Sequence, residues 1–227
     1  MCASPTRQSF LRLFVVLALA AAPLGATGSG CAPQPFDRTE PFSRDRVGAV
    51  RRSVQLTVST MESAVEATML ALDRSQELCE SPGESLDAAY ATARGDFSSA
   101  RGRQRSFARR ILVTRTGGEA MFDEWRSELR TYSDAAVEQS SRESLERLEV
   151  SHSALIAALE IVRDELLPLQ DSINDRVLYL KHSRNEGALA ALPAMTPAIT
   201  ETRNNVRGGV ESVLSAAAHF ETLTARR

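Results

Sequence analysis

Between Leu145 and Leu180 the apolar positions recur every three or four residues. They are Leu145, Leu148, Leu155, Leu159, Val162, Leu166, Leu169, Ile173, Val177 and Leu180, with His152 in the one remaining slot. A period near 3.5 lays these side chains along one seam of a helix and has no counterpart in a strand. Carried to residue 182, the pattern makes a rod of about 55 Å at 1.5 Å per residue. Pro168 lies inside it, and the spacing survives on both sides. A kink rather than an end is therefore expected there.

Other stretches follow the same rule with different detail. From Arg44 to Glu80 the apolar positions are Val47, Val50, Val54, Val58, Met61, Val65, Met69 and Leu72. Their spacing predicts a helix with an eleven-residue repeat rather than a heptad. Ser81, Pro82 and Gly83 stop it. Leu86, Tyr90, Ala93, Phe97, Ala100, Gln104, Phe107 and Ile111 alternate by four and three, which predicts a second helix with a small, polar interior. Gly117 and Gly118 mark a break or soft joint. Phe122, Trp125, Leu129 and Tyr132 give a further amphipathic stretch, with Trp125 in the core. A turn is expected within 133–144, where Ser140 and Glu143 have capping-box spacing. After Asn185, Glu186 and Gly187, the pair Thr196 and Pro197 reads as an N-cap followed by proline at the first helical position. A last helix carries Ile199, Val206, Val210, Val213, Ala217 and Phe220, with Gly208 and Gly209 in its middle.

Helices this long and this one-sided must bury their seams against one another, and short connections make neighbours antiparallel. The fold class expected is all-α, an elongated antiparallel bundle of about four long, coiled-coil-like helices over residues 44–227. A self-associating coiled coil is the variant of the same reading.

The N-terminus has another character. Arg7 and Arg12 precede the apolar run 13–22, and small residues follow it up to Cys31. That order is a secretory signal, and the run is about half the roughly 20 residues a spanning helix needs. Small residues before a cysteine resemble a bacterial lipobox, with Gly28 where leucine is usual. Residues 1–30 are then removed and Cys31 is lipidated. Cleavage after Ala26 and a retained N-terminal anchor are the other readings. Residues 31–43, with Pro33, Pro35 and Pro41, form an extended tether. Ala32 stands where aspartate would mark retention at the inner membrane, which favours the outer membrane.

Removal of 1–30 leaves 25 basic and 29 acidic residues. This balance excludes general nucleic-acid binding. Cys2 leaves with the signal, so with Cys31 acylated Cys79 has no intrachain partner and reads as a small apolar residue. An intermolecular bridge is the second reading for it.

Three segments, taken in order, carry a family resemblance: 121–133, the leucine heptads of 145–166, and 168–189. Phe122, Glu124, Trp125, Glu128, Leu129 and Tyr132 match one motif. Val177, Leu178, Leu180, Lys181, His182 and Asn185 match another, with Ser183 replacing the usual asparagine. On these motifs the chain resembles the bacterial envelope proteins catalogued as domain of unknown function 2959. The resemblance implies a lipoprotein with a long helical body and assigns no reaction.

Candidate sites follow from chemistry that stands out. Lys181 is the chain's only lysine and adjoins His182. The pair reads as a partner or ligand contact, or as cations favoured at a helix C-terminus. Arg101, Arg105 and Arg109 share a face within a stretch lacking acids. They read as a contact for anionic lipid or an acidic partner, or as salt bridges to the acidic helix of 143–165. His152 reads as a hydrogen-bonded interface residue. Asp123, Glu124 and Glu128, with Arg126 and Arg130, read as a solvated, salt-bridged face. No histidine pair has metal spacing and no nucleophile–base or phosphate-loop arrangement occurs. No catalytic residue, metal or cofactor is expected. The expected role is a non-enzymatic envelope lipoprotein, a helical scaffold or spacer. It would be held to the membrane by lipid and bound to a protein partner or to itself through its helices. The alternative is a lipid- or ligand-binding regulator that uses the arginine face or the Lys181/His182 bend.

Overall fold

The computed structural model describes residues 44–80, 85–182 and 197–225. They form four helices: α1 (Arg44–Glu80), α2 (Leu86–Leu129), α3 (Ala135–His182) and α4 (Pro197–Ala225). All four belong to one unit, Glu40–Arg227. The expected signal, Cys31 and the expected tether, together with the side chain of Cys79 and residues 81–84 and 183–196, lie outside the described residues.

Bonds between helices fix the direction of each. Ser53 and Thr57 of α1 meet Thr114 of α2, while Arg74, further along α1, meets Asp96, further back along α2. The two are therefore antiparallel. Trp125 bonds Ser141 and Ala100 accepts from Gln170, so α2 and α3 are antiparallel too. Gln55–Glu221 and Asp73–Arg203 set α4 against α1 in the same sense. Across the diagonal, Thr68–Gln170 and Ser75–Arg176 tie α1 to α3, which run parallel. The all-α antiparallel bundle of four helices is thus the fold, wound up, down, up and down.

α1 corrects the expected repeat. Its buried positions include Val47, Val50, Val54, Thr57, Met61, Ala64, Thr68, Ala71 and Ser75. These alternate three and four, which is a heptad rather than an eleven-residue period, while Leu72, also fully buried beside Ala71, is a core position that the expected repeat includes. The apolar residues alone suggest the longer repeat because two seam positions are threonines. Thr57 is tolerated in the core because its hydroxyl donates to the Ser53 carbonyl at 2.8 Å. Val58, Val65 and Met69 sit at the edge of the core instead.

α2 corrects a second expectation. It runs unbroken through Gly117 and Gly118. The alternation of Phe107 and Ile111 continues through Thr114, Gly118, Met121 and Trp125, all buried. Gly118 is a seam position whose missing side chain is filled from α3. The turn to α3 is short, at 130–134. Asp134 caps the new helix, accepting from Ala136 N at 2.8 Å and Val137 N at 3.3 Å. The helix therefore begins before Ser140, which is exposed on it, and Glu143 accepts from Gln139 at 3.0 Å rather than closing a capping box.

α3 buries the whole seam from Leu145 to Leu180 and continues through Pro168. That proline leaves the Asp164 carbonyl without its helical donor. α4 begins at Pro197, as its sequence predicts. Gly209 faces α3: a β-carbon there would lie 2.9 Å from Val162 Cγ2. Gly208 meets nothing and faces solvent.

Candidate functional site

The described core contains polar layers at three heights. In the first, Thr114 Oγ1 lies 2.7 Å from both Ser53 Oγ and Thr57 Oγ1. The Thr114 carbonyl accepts from His152 Nε2 at 3.2 Å, which places the ring proton on Nε2. Phe122 meets the imidazole edge-on at 5.4 Å between centroids, and Phe220 of α4 lies at 5.8 Å. All four helices contribute to this layer. In the second layer, Gln170 donates to Thr68 Oγ1 at 3.4 Å and to the Ala100 carbonyl at 3.5 Å. In the third, the buried Arg176 donates to Ser75 Oγ at 3.1 Å.

His152 is 4 % exposed. Burial pushes its pKa below the ordinary 6.5, opposed by the Thr114 hydrogen bond and by Glu119, and reinforced by Arg115. The heptad slot, the hydrogen bond and the aromatic walls place His152 as a hydrogen-bonded interface residue.

An open groove of about 530 Å³ runs between α2 and α3 above this ring. Its walls are largely self-neutralised. Arg115 pairs with Glu160, and Arg126 pairs with Asp123 and Glu149. Asp123 is thus part of a solvated, salt-bridged face, as its sequence context suggests. Glu124 pairs with Arg46 of α1. Trp125 is core, and its indole N–H donates to Ser141 at 3.0 Å.

The arginine face differs from one of its two expected readings. Arg101, Arg105 and Arg109 are exposed, and no ion pair joins them to the acids of α3 among the described residues. The pairing with α3 falls on Arg115 and Arg126 because those two sit on the flank of α2 that faces it. Arg103, on the opposite flank, donates to Ser63 of α1 at 2.6 Å. The exposed Leu112 and Val113 continue the outer surface beyond Arg109. Lys181 and His182 are exposed in the last turn of α3, where the helix dipole favours cations. The structure does not bring them near the arginine face: Arg101, Arg105 and Arg109 lie in mid-α2, Lys181 and His182 at the end of α3. Among the described residues, no cluster of His, Cys, Asp and Glu could hold a metal ion, and no helix is long and apolar enough to cross a membrane.

Gly118, Thr114 and Thr57 escape a reading based on apolar residues. Their signal is positional, since each continues a four-three alternation set by neighbouring apolar residues.

Comparison with known proteins adds one finding. Residues 36–222 match the model of a family described as protein of unknown function DUF2959. No curated protein and no solved structure matches. The match covers both motif segments and all but the last three residues of the described bundle, so the chain belongs to the DUF2959 family.

Proposed function

We propose that this protein is a lipid-anchored, non-enzymatic scaffold or spacer of a bacterial cell envelope. The observation that supports the scaffold reading is how the bundle spends its buried polar groups. Thr57, Thr114, His152, Gln170, Thr68, Arg176 and Ser75 all bond from one helix to another. Such bonds fix register between long helices. The anchor rests on the charged, apolar and small-residue order that ends at Cys31.

The test combines metabolic labelling with a fatty-acid probe and crosslinking in the native cell. The wild-type chain should incorporate label and sediment with membranes, and Cys31→Ser should lose both. Crosslinking should recover a defined partner that survives charge reversal at Arg101, Arg105 and Arg109. Retention of label by Cys31→Ser rejects the anchor, and recovery of no partner rejects the scaffold.

A second reading is a lipid- or ligand-binding regulator, at the arginine face or at Lys181 and His182. What favours the first of these is that Arg101, Arg105 and Arg109 project to solvent beside exposed Leu112. A basic and apolar surface of this kind suits anionic lipid. Under this reading the Cys31→Ser protein binds anionic vesicles and not neutral ones, and reversal of the three arginines abolishes that binding. Equal binding by both proteins rejects it.

A further inference from the structure

We propose that the outward face of α3 is a self-complementary seam on which a second copy of this chain docks antiparallel. This goes beyond the scaffold reading and does not depend on it.

α3 carries two heptad stripes. One is the buried seam. The other lies on the solvent side and runs Arg147, Val150, Ala154, Ala157, Ile161 and Asp164, spaced three, four, three, four and three. All six are exposed. Val150 at 71 % and Ile161 at 57 % are among the most exposed large apolar side chains described. An ordinary solvated face has no reason to keep a heptad of apolar residues.

The order of residues along the stripe selects the occupant. A two-fold axis between Ala154 and Ala157 sets Val150 against the partner's Ile161 and Ala154 against the partner's Ala157. The same operation sets Arg147 against the partner's Asp164, once at each end. The centre is small, so the helix axes can approach closely, and the larger aliphatic pairs flank it. Opposite charges close both ends. A parallel pairing would instead set Arg147 against arginine and Asp164 against aspartate. Charge complementarity therefore favours the antiparallel copy.

The end groups are available for this. Arg147 donates only to Ser144 Oγ of its own helix, at 3.1 Å, among the bonds described. Asp164 accepts from Arg163 at 2.8 and 3.1 Å, and a carboxylate has further lone pairs for a second guanidinium. The seam spans about 27 Å, which places the dimer at the small, weak end of specific interfaces.

The test is sedimentation velocity on the full chain in mild detergent, from roughly 1 to 100 µM, a range suited to a small interface. Circular dichroism confirms that each variant stays folded. The wild type should pass from monomer to dimer within that range. Asp164→Arg creates like charges at both ends and should weaken the dimer about tenfold or more. Arg147→Asp combined with Asp164→Arg should restore it. Val150→Ser should also weaken it without involving charge. A wild type that stays monomeric throughout overturns the proposal. So does an unchanged dimer in Asp164→Arg, or a charge-swapped double variant that remains as weak as the single one.

Discussion

Gly118 of α2 and His152 of α3 occupy one site between them: the imidazole stands where a side chain on residue 118 would be. A β-carbon built on Gly118 falls well inside van der Waals contact of ring atoms Cε1 and Nε2. The neighbouring Gly117 would meet nothing within 4 Å. Two adjacent glycines of one helix thus have opposite roles.

Alanine at these positions separates the roles. Gly117→Ala should stabilise the bundle by about 0.5–1 kcal/mol through helix propensity alone. Gly118→Ala has the same propensity gain but forces the ring out of its slot, so a net loss of about 1–2 kcal/mol is expected. Urea denaturation of the pair checks the sign. His152→Ala should remove most of the penalty of Gly118→Ala in a double-mutant cycle.

The depressed pKa of His152 gives the fold an acid limit. Well above pH 6.5 the ring is neutral in both folded and unfolded chains, and its contribution is constant. Below that value the unfolded chain binds the proton first. Stability should then fall by up to about 1.4 kcal/mol per pH unit until the folded value is passed. Melting temperature against pH should show this slope as the pH falls below about 6.5. In His152→Leu the slope should flatten.

The Thr57–Thr114 bond should couple the two residues energetically. Thr57→Val leaves the Thr114 hydroxyl with Ser53 alone, and a cost of about 1 kcal/mol is expected. Thr57→Val combined with Thr114→Val removes both hydroxyls and should cost less than the sum of the singles. A coupling of about 0.5–1 kcal/mol from denaturant melts is the expected outcome.

Pro168 is exposed inside a continuous helix. Pro168→Ala returns a donor to the Asp164 carbonyl and removes a ring clash. A gain of about 1–2 kcal/mol is expected, less than the full interior-proline penalty because proline also restricts the unfolded chain. Thermal unfolding checks it.

How far the sequence could be read depended on what filled each seam. α3 was legible because leucine, isoleucine and valine occupy nearly every slot. The apolar residues of α1 locate the helix and much of its seam but suggest too long a period, since Thr57 and Thr68 read as surface residues when taken alone. Each is in fact satisfied inside, Thr57 by a carbonyl of its own helix and Thr68 by Gln170. Gly117 and Gly118 read as a joint because glycine is a poor helix former, and only the packing of His152 reveals why residue 118 lacks a side chain. The sequence offers two readings of the arginine face and does not choose the exposed one. Which of six arginines in one stretch meet α3 depends on helix rotation, which the burial pattern of α2 fixes only once its partners are in place.

The bundle winds up, down, up and down, so the start of α1 and the finish of α4 leave from the same end. A load applied between those two points would peel α1 and α4 apart one turn at a time, as a zipper opens. A load applied from one end of the bundle to the other would instead have to break Thr57–Thr114, Thr68–Gln170 and Ser75–Arg176 together, in shear. Mechanically, the molecule should be soft when pulled by its own termini and stiff when pulled along its axis.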